Sequence, residues 1–253
     1  MNYKRSEQGP ILILGGTGKT GRRVAQRLTR RGLPIRIGSR SGKPAFDWNN
    51  QSTWKSLLEG VNAVYITYYP DLASPGAAEA IDSFAKLAVE KDVKRLVLLS
   101  GRGEEEAVRS EKALQDSGSD WTILRSSWFV DVEDIADVAV AALTDNKHIG
   151  QIYELSGPRA LTFKEAIEEI SKASGREIRY KNISTEQFIS ELQQQGLPED
   201  IVSLMVELFT KVLDGRNSHI TNGVQRALGR EPKDFSLYAR DAAATGVWMM
   251  KND

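Results

Sequence analysis

Cysteine is absent from the 253 residues, which rules out disulfides, thiolate metal ligands and a cysteine nucleophile. Histidine is scarce. His148 and His219 are the only two, too few for a histidine-rich metal site. No excess of charge of one sign exists either: Lys plus Arg and Asp plus Glu number 34 each, so no net field draws the whole chain to nucleic acid or an anionic membrane. A local basic patch remains open. Nowhere do 18 apolar residues run together, so no membrane span is expected. The polar stretch Met1–Pro10 and the short apolar run Ile11–Leu14 do not make a secretory leader. The default expectation is a cytoplasmic protein. No internal repeat or low-complexity tract stands out. The 40% hydrophobic and 27% charged composition is that of an ordinary globular chain, long enough for one α/β domain with a smaller elaboration.

Short apolar runs alternate with helical patterns through the first two-thirds, which predicts βαβ units and a parallel sheet. Strands are expected at Ile11–Leu14, Ile35–Gly38, Ala63–Thr67, Arg95–Leu99, Trp121–Arg125 and, late, Gln151–Leu155. The first does not alternate, so it should be buried on both faces. Helices are expected at Thr20–Arg31, Trp54–Glu59, Ala77–Lys91, Glu104–Asp116 and Val132–Leu143, the last capped by Asp131. A further helix should start at Thr162 and run to Ala173. The fold class is therefore a Rossmann-type doubly wound parallel sheet with a small, mainly helical C-terminal lobe. The nucleotide-binding domain covers 1–150, with 151–155 completing the sheet, and 156–253 forms the lobe over the sheet's carboxyl edge.

The strongest motif is Gly15-Gly16-Thr17-Gly18-Lys19-Thr20-Gly21, between the first strand and the first helix. Glycines at 15, 18 and 21 suit a turn with positive φ, a backbone that must approach a pyrophosphate, and a helix packed closely on the sheet. The helix N-terminus then offers free N–H donors to phosphates. Gly18-Lys19-Thr20 also mimics the end of a triphosphate-binding P-loop. That motif needs a glycine five residues before Gly18, where this chain has Ile13, so the reading fails on spacing. After the second strand comes Gly38-Ser39-Arg40-Ser41-Gly42-Lys43, with no carboxylate before Asp47 to hold a ribose 2′-OH. Arg40, Ser39 and Lys43 suit a 2′-phosphate, so NADP(H) is expected over NAD(H). The competing reading is a solvated basic loop. Arg22, Arg23, Arg27, Arg30 and Arg31 crowd the first helix; Arg22 and Arg23 could approach phosphates, although such a cluster is usually a solvated face.

With these residues the chain resembles the NmrA-like family of atypical short-chain dehydrogenase/reductases. The resemblance rests on Ile11–Gly21, Ser39-Arg40, the run Trp121–Phe129, Val130–Ala136, Tyr153–Pro158 and the tail Gly223–Phe235, and it covers nearly the whole chain. It implies either an NADPH-dependent reductase of quinone, azo or related acceptors, or a redox sensor that binds the cofactor without turning it over. It places Asp47 and Trp48 beside the adenine, and Thr67, Tyr68 and Tyr69 along the ribose and nicotinamide. Ser100 and Gly101 should sit across from them. The plainer alternatives are a turn-forming Asp47 and an aromatic pair at Tyr68-Tyr69 that stabilises the Pro70 turn.

Two departures from the family pattern matter. No tyrosine has a lysine four residues on, so the Tyr-x-x-x-Lys acid of ordinary short-chain dehydrogenases is missing. The lysine of related atypical members falls here on Ala107; Arg109 and Lys112 lie near it but read as solvated helix charges. The family also carries a loop of roughly 25–35 residues, lid-sized, between Phe129 and Val130. Either this chain lacks it or a mobile loop is missing from the sequence. A strand running straight into a helix N-cap leaves no room for a turn and favours the second. No catalytic residue is assigned. Tyr68, Tyr69, Trp128 and Phe129 are the candidates for stacking a flat substrate, with Trp128 and Phe129 as plain core the alternative. The lead expectation is hydride transfer from NADPH to a small flat quinone, azo or imine acceptor, protonated by water. The rival is a non-catalytic NADP(H) sensor acting through a protein partner. An extended-type sugar epimerase is disfavoured by the missing pair. Composition names neither an acceptor nor an oligomeric state.

Overall fold

A computed structural model describes residues 9–249. Six parallel strands form one sheet in the order β2-β1-β3-β4-β5-β6: β1 Ile11–Leu14, β2 Ile35–Gly38, β3 Ala63–Ile66, β4 Arg95–Gly101, β5 Asp120–Ser126 and β6 Gln151–Leu155. The chain leaves β1 toward β2 on one side, then crosses to β3 on the other. The order therefore reverses between β1 and β3, and a crevice opens there outside the carboxyl ends of the strands.

Buried side chains divide by strand parity into two layers. Leu12, Leu14, Val64, Ile66, Leu96 and Leu98 face α2 (Trp54–Leu58), α3 (Ala77–Glu90) and α4 (Glu105–Gln115). Ile11, Ile13, Tyr65, Val97 and Leu124 face α1 (Gly21–Arg30) and α5 (Val132–Thr144). All four residues of β1 are buried, as its unbroken apolar run requires. Arg23 and Arg27 do not form a free basic face. They pair with Glu133, and Arg27 also reaches Asp137 at 2.6 Å, which clamps α1 to α5.

After β6 the chain continues as α6 (Phe163–Ser174), α7 (Thr185–Gln194), α8 (Glu199–Glu207), a π-helical turn Leu208–Val212, α9 (Gly223–Leu228) and α10 (Phe235–Ala244). Thr162 and Glu165 close a reciprocal capping box at the start of α6. The C-terminal elements are not one separate block: Val224 and Ala227 of α9 belong to the layer that holds α5.

The connection from β5 to α5 corrects one expectation. Ser127–Val130 does make the turn, with Phe129 held in the left-handed region at φ 64° and Asp131 capping the Glu133 N–H. One strained non-glycine residue supplies the reversal for which the sequence seemed to have no room.

Candidate functional site

The glycine loop is built by close approach. Gly15 has φ 65°, and a Cβ there would sit 2.4 Å from the Thr67 hydroxyl; a Cβ on Gly21 would sit 2.3 Å from the Gly15 carbonyl oxygen. Those two glycines seat the loop on β3 and on the first turn of α1. Gly18 differs. It is exposed, and the nearest atom to a Cβ would be the Gly15 oxygen at 3.1 Å, so its bareness keeps space open outside the loop. Its N–H closes the turn onto the Gly15 carbonyl at 2.8 Å, whereas those of Thr17, Lys19 and Thr20 find no backbone acceptor among the described residues. Thr20, the N-cap of α1, makes no side-chain cap bond, and no acidic residue stands in the first turn. An uncapped, unneutralised N-terminus of a ten-residue helix beside an open glycine is what a pyrophosphate requires. The residues present fit a dinucleotide.

The loop after β2 brings Ser39 and Arg40 to the rim, with Lys43 exposed beyond them. The Arg40 guanidinium lies 5.0 Å from the centre of the Tyr69 ring. Tyr69 is 62% exposed and stacks under this guanidinium. It therefore stands with the 2′-phosphate candidates rather than at the nicotinamide end, where the family pattern had put it. Asp47 is a turn former: its carboxylate accepts the Asn49 N–H at 3.0 Å and its carbonyl accepts the Trp54 indole at 2.8 Å. Trp48, expected beside the adenine, is 9% exposed and donates its indole N–H to the Thr67 carbonyl. It packs among Phe46, Trp54, Phe84 and Tyr68, so it supports the wall from behind. Thr67 spends its hydroxyl on the Leu14 carbonyl, holding β3 against β1.

Ser100 is also corrected. Its hydroxyl donates to the Glu111 carboxylate, 2.6 Å away and 3% exposed, and begins a chain of charges that runs outward to the surface. Arg125 grips Glu111 and reaches Glu154 at 2.8 Å; Glu154 in turn stands 3.6 Å from His219. Gly101 keeps its place at the carboxyl end of β4. Ala107 is buried, Arg109 pairs with Glu79 and Glu106, and Lys112 with Asp116, so none of the three supplies the missing lysine.

Beyond the carboxyl ends of β4, β5 and β6 lies a cavity of about 360 Å³. Of the four residues read as substrate-stacking candidates, Trp128 and Phe129 line it and Tyr68 and Tyr69 do not. The other walls are Ser156, from the Tyr153–Pro158 run, together with residues not read as site residues from sequence: Arg102, Phe163, Tyr180 and the strap Asn217–Ile220. Phe163 stacks edge-on to both Trp128 and Phe129, at 6.1 and 5.3 Å. Arg102 donates to the carbonyls of His219 and Asn217, which ties the strap to the end of β4. Only the Tyr153–Pro158 run had signalled this side; Phe163 and Tyr180 come from segments with no motif. Among the described residues no cluster of His, Asp and Glu could hold a metal, and no helix is long and apolar enough to cross a membrane.

The pattern of the NAD(P)H-binding family matches residues 15–153 of this chain. The uncharacterized oxidoreductase YesF of Bacillus subtilis is 31% identical, across 96% of this chain and 99% of its own. That alignment runs over 284 positions, more than the 253 residues here, so the relative carries segments this chain does without. The NAD(P)H azoreductase of Xenophilus azovorans is 27% identical across 92% of this chain and 98% of its own. Among solved structures, an NADPH-dependent quinone oxidoreductase of Escherichia coli in complex with NADPH superposes with a TM-score of 0.75 at 19% identity, covering 91% of this chain and 99% of that one. At that identity the likeness is one of fold. The glycine loop, the sheet order and these matches agree: the chain belongs to the NAD(P)H-binding, NmrA-like family of atypical short-chain dehydrogenase/reductases.

Proposed function

We propose that this NAD(P)H-dependent oxidoreductase uses NADPH to reduce a small, flat, conjugated acceptor of the quinone, azo or imine class. The observation that carries this reading is the aromatic cavity at the carboxyl ends of β4–β6. It lies on the side of the switch point where a dinucleotide anchored by its pyrophosphate at Gly15–Gly21 extends its nicotinamide. Bound dihydronicotinamide supplies a hydride. The chain's own residues do the rest: Trp128, Phe129 and Phe163 offer ring faces to a planar acceptor, and Arg102 holds the strap that forms the opposite part of the wall. With no Tyr-x-x-x-Lys acid, orientation rather than an activated tyrosine carries the rate. Tyr68 lies outside that cavity, and burial together with the Glu106 and Glu79 carboxylates pushes its pKa up, so it is held neutral. The relatives' chemistry points the same way, since an azoreductase is among them.

Preference for NADPH is assigned to Arg40, with Ser39 and Lys43 beside it. Arg40→Ala weakens NADPH binding by about 1–3 kcal/mol, the size of a lost charge-assisted contact, and leaves NADH binding nearly unchanged. Titration of both cofactors against both proteins measures this, and equal losses refute the assignment. The function itself is tested by NADPH absorbance over time with purified protein and a panel of quinones, azo dyes and imines. Acceptor-dependent loss of absorbance supports the reductase. Tight NADPH binding with no loss under any acceptor gives the role to the cofactor sensor, a reading that the missing Tyr-x-x-x-Lys pair favours.

A further inference from the structure

The aromatic cavity carries permanent charge of one sign. Its lining includes Arg102, Arg159 and Lys164 but no aspartate or glutamate. The three cations differ in what they already hold. Arg159 is paired, with Asp234 at 2.7 Å and Glu169 at 3.0 Å. Lys164 is exposed near the start of α6 and has no ion-pair partner among the described residues.

Arg102 is the unusual one. It is 6% exposed, yet no carboxylate stands within 4 Å of its guanidinium among the described residues. Its terminal nitrogens donate to the carbonyls of His219 and Asn217, and its Nε has no partner. Glu154 acts on it from farther off and is itself gripped by Arg125 at 2.8 Å. Two carbonyl dipoles do not replace the hydration that a guanidinium loses on burial. Burial accordingly pulls the Arg102 pKa below its ordinary value, with Glu154 working the other way. An anion entering the cavity would supply the counter-charge that the fold withholds.

The start of α6 adds donors to the same cavity. Thr162, Phe163 and Lys164 line it, and the N–H groups of Phe163 and Lys164 meet no acceptor among the described residues. Glu165, the acid of that turn, is engaged in the capping box with Thr162. Free amides at the N-terminus of a twelve-residue helix favour negative charge beside them.

We propose that this cavity selects acceptors carrying an anionic oxygen group, a carboxylate or sulfonate on the conjugated ring system, with Arg102 and Lys164 supplying the opposite charge. The proposal rests on the reductase reading above and narrows its substrate class. The rings lie against Trp128, Phe129 and Phe163, which offer no charge. Arg102, fixed by the strap carbonyls, then sets which way round the acceptor lies. Uncharged and cationic acceptors gain nothing from these groups.

Two fluorescent probes that share one ring system isolate the charge: anilinonaphthalenesulfonate and phenylnaphthylamine, which lacks the sulfonate. Each is titrated into full-length wild type, Arg102→Gln and Lys164→Gln with NADP⁺ saturating, which closes the dinucleotide site to the probe. The ratio of sulfonate to amine affinity is expected to fall at least about fivefold in Arg102→Gln and about twofold in Lys164→Gln. Lys164 is exposed, so its variant reports even where loss of Arg102 loosens the strap. NADPH consumption is then followed with one azo dye in sulfonated, carboxylated, uncharged and trimethylammonium forms. An anionic form should have the lowest KM and the cationic form the highest, and added salt should narrow the spread. A probe ratio equal in all three proteins, or a lowest KM for the uncharged or cationic dye, overturns the proposal. If no dye consumes NADPH while the probe ratio still falls in the variants, the anion site stands and the reductase reading is what fails.

Discussion

Glu104, at the N-cap of α4, leaves a mark on stability that needs no substrate: burial first, then Asp71 and Glu111, pushes its pKa up. Its carboxyl starts from an ordinary 4.5 in the unfolded chain and rises to about 8 in the fold, so between those values the native state binds the extra proton. Stability must then fall as pH rises through that window and level off above it. Glu104→Gln removes the titration while keeping the shape. Its melting temperature relative to wild type should climb steadily from pH 5 to pH 8 and then stay flat, which thermal unfolding across that range measures. A difference that does not change with pH would place the carboxylate in a solvated setting. At the same scale, Trp128 is 36% exposed on the cavity wall while Trp48 and Trp54 are buried. Addition of a quinone should quench tryptophan emission through Trp128. Trp128→Phe should lose most of that quenching and keep its affinity for NADPH, as parallel fluorescence titrations would record.

Among the elements, the glycine loop separates two kinds of glycine. Gly21→Ala drives a Cβ into the Gly15 backbone at 2.3 Å, where nothing can move aside cheaply, so the loop and the first turn of α1 should lose about 1–3 kcal/mol of stability. Gly18→Val meets only the Gly15 oxygen at 3.1 Å and fills the outer space meant for phosphate. It should unfold close to wild type in a denaturant titration and yet bind NADPH too weakly to detect; retained affinity would reduce the motif to a turn. The alternation of strand and helix was legible because the strands are short apolar runs bounded by glycine, proline or polar residues, and the observed ends fall within two residues of those read from sequence. Local chemistry of that kind stops at the element. That Ser100 turns inward to Glu111 while Gly101 opens to Glu104 depends on strand parity and on where α4 lies, and no motif encodes either. Tyr69 read as a neighbour of Tyr68 because the two adjoin in sequence, yet one packs on Trp48 and the other under Arg40. Phe129 misled for a different reason. A left-handed phenylalanine is rare enough that a four-residue reversal there looked impossible.

At the scale of the molecule, the site is assembled from distant parts of the chain. The glycine loop and the loop after β2 that fit a dinucleotide come from residues 15–40, while the cavity wall draws on the segment after β5, on α6 and on the strap 217–220. Arg102, just past β4, ties that wall together, with its backbone N–H on the Ser126 carbonyl of β5 and its guanidinium on the strap. The tail beyond the strap returns to the sheet. The Thr221 hydroxyl donates to the Glu154 carbonyl at 2.6 Å, its N–H reaches the Ser156 hydroxyl at 2.9 Å, and a Cβ on Gly223 would sit 2.0 Å from the Glu154 oxygen. Because β6 ends the sheet, that carbonyl belongs to a row that another strand could otherwise template upon. The threonine and the bare glycine act as a selvedge: they finish the woven margin so that it cannot be extended by a neighbour's strand. Growth of the sheet from one molecule to the next is thereby opposed at β6, while β2 forms the opposite margin of the sheet among the described residues.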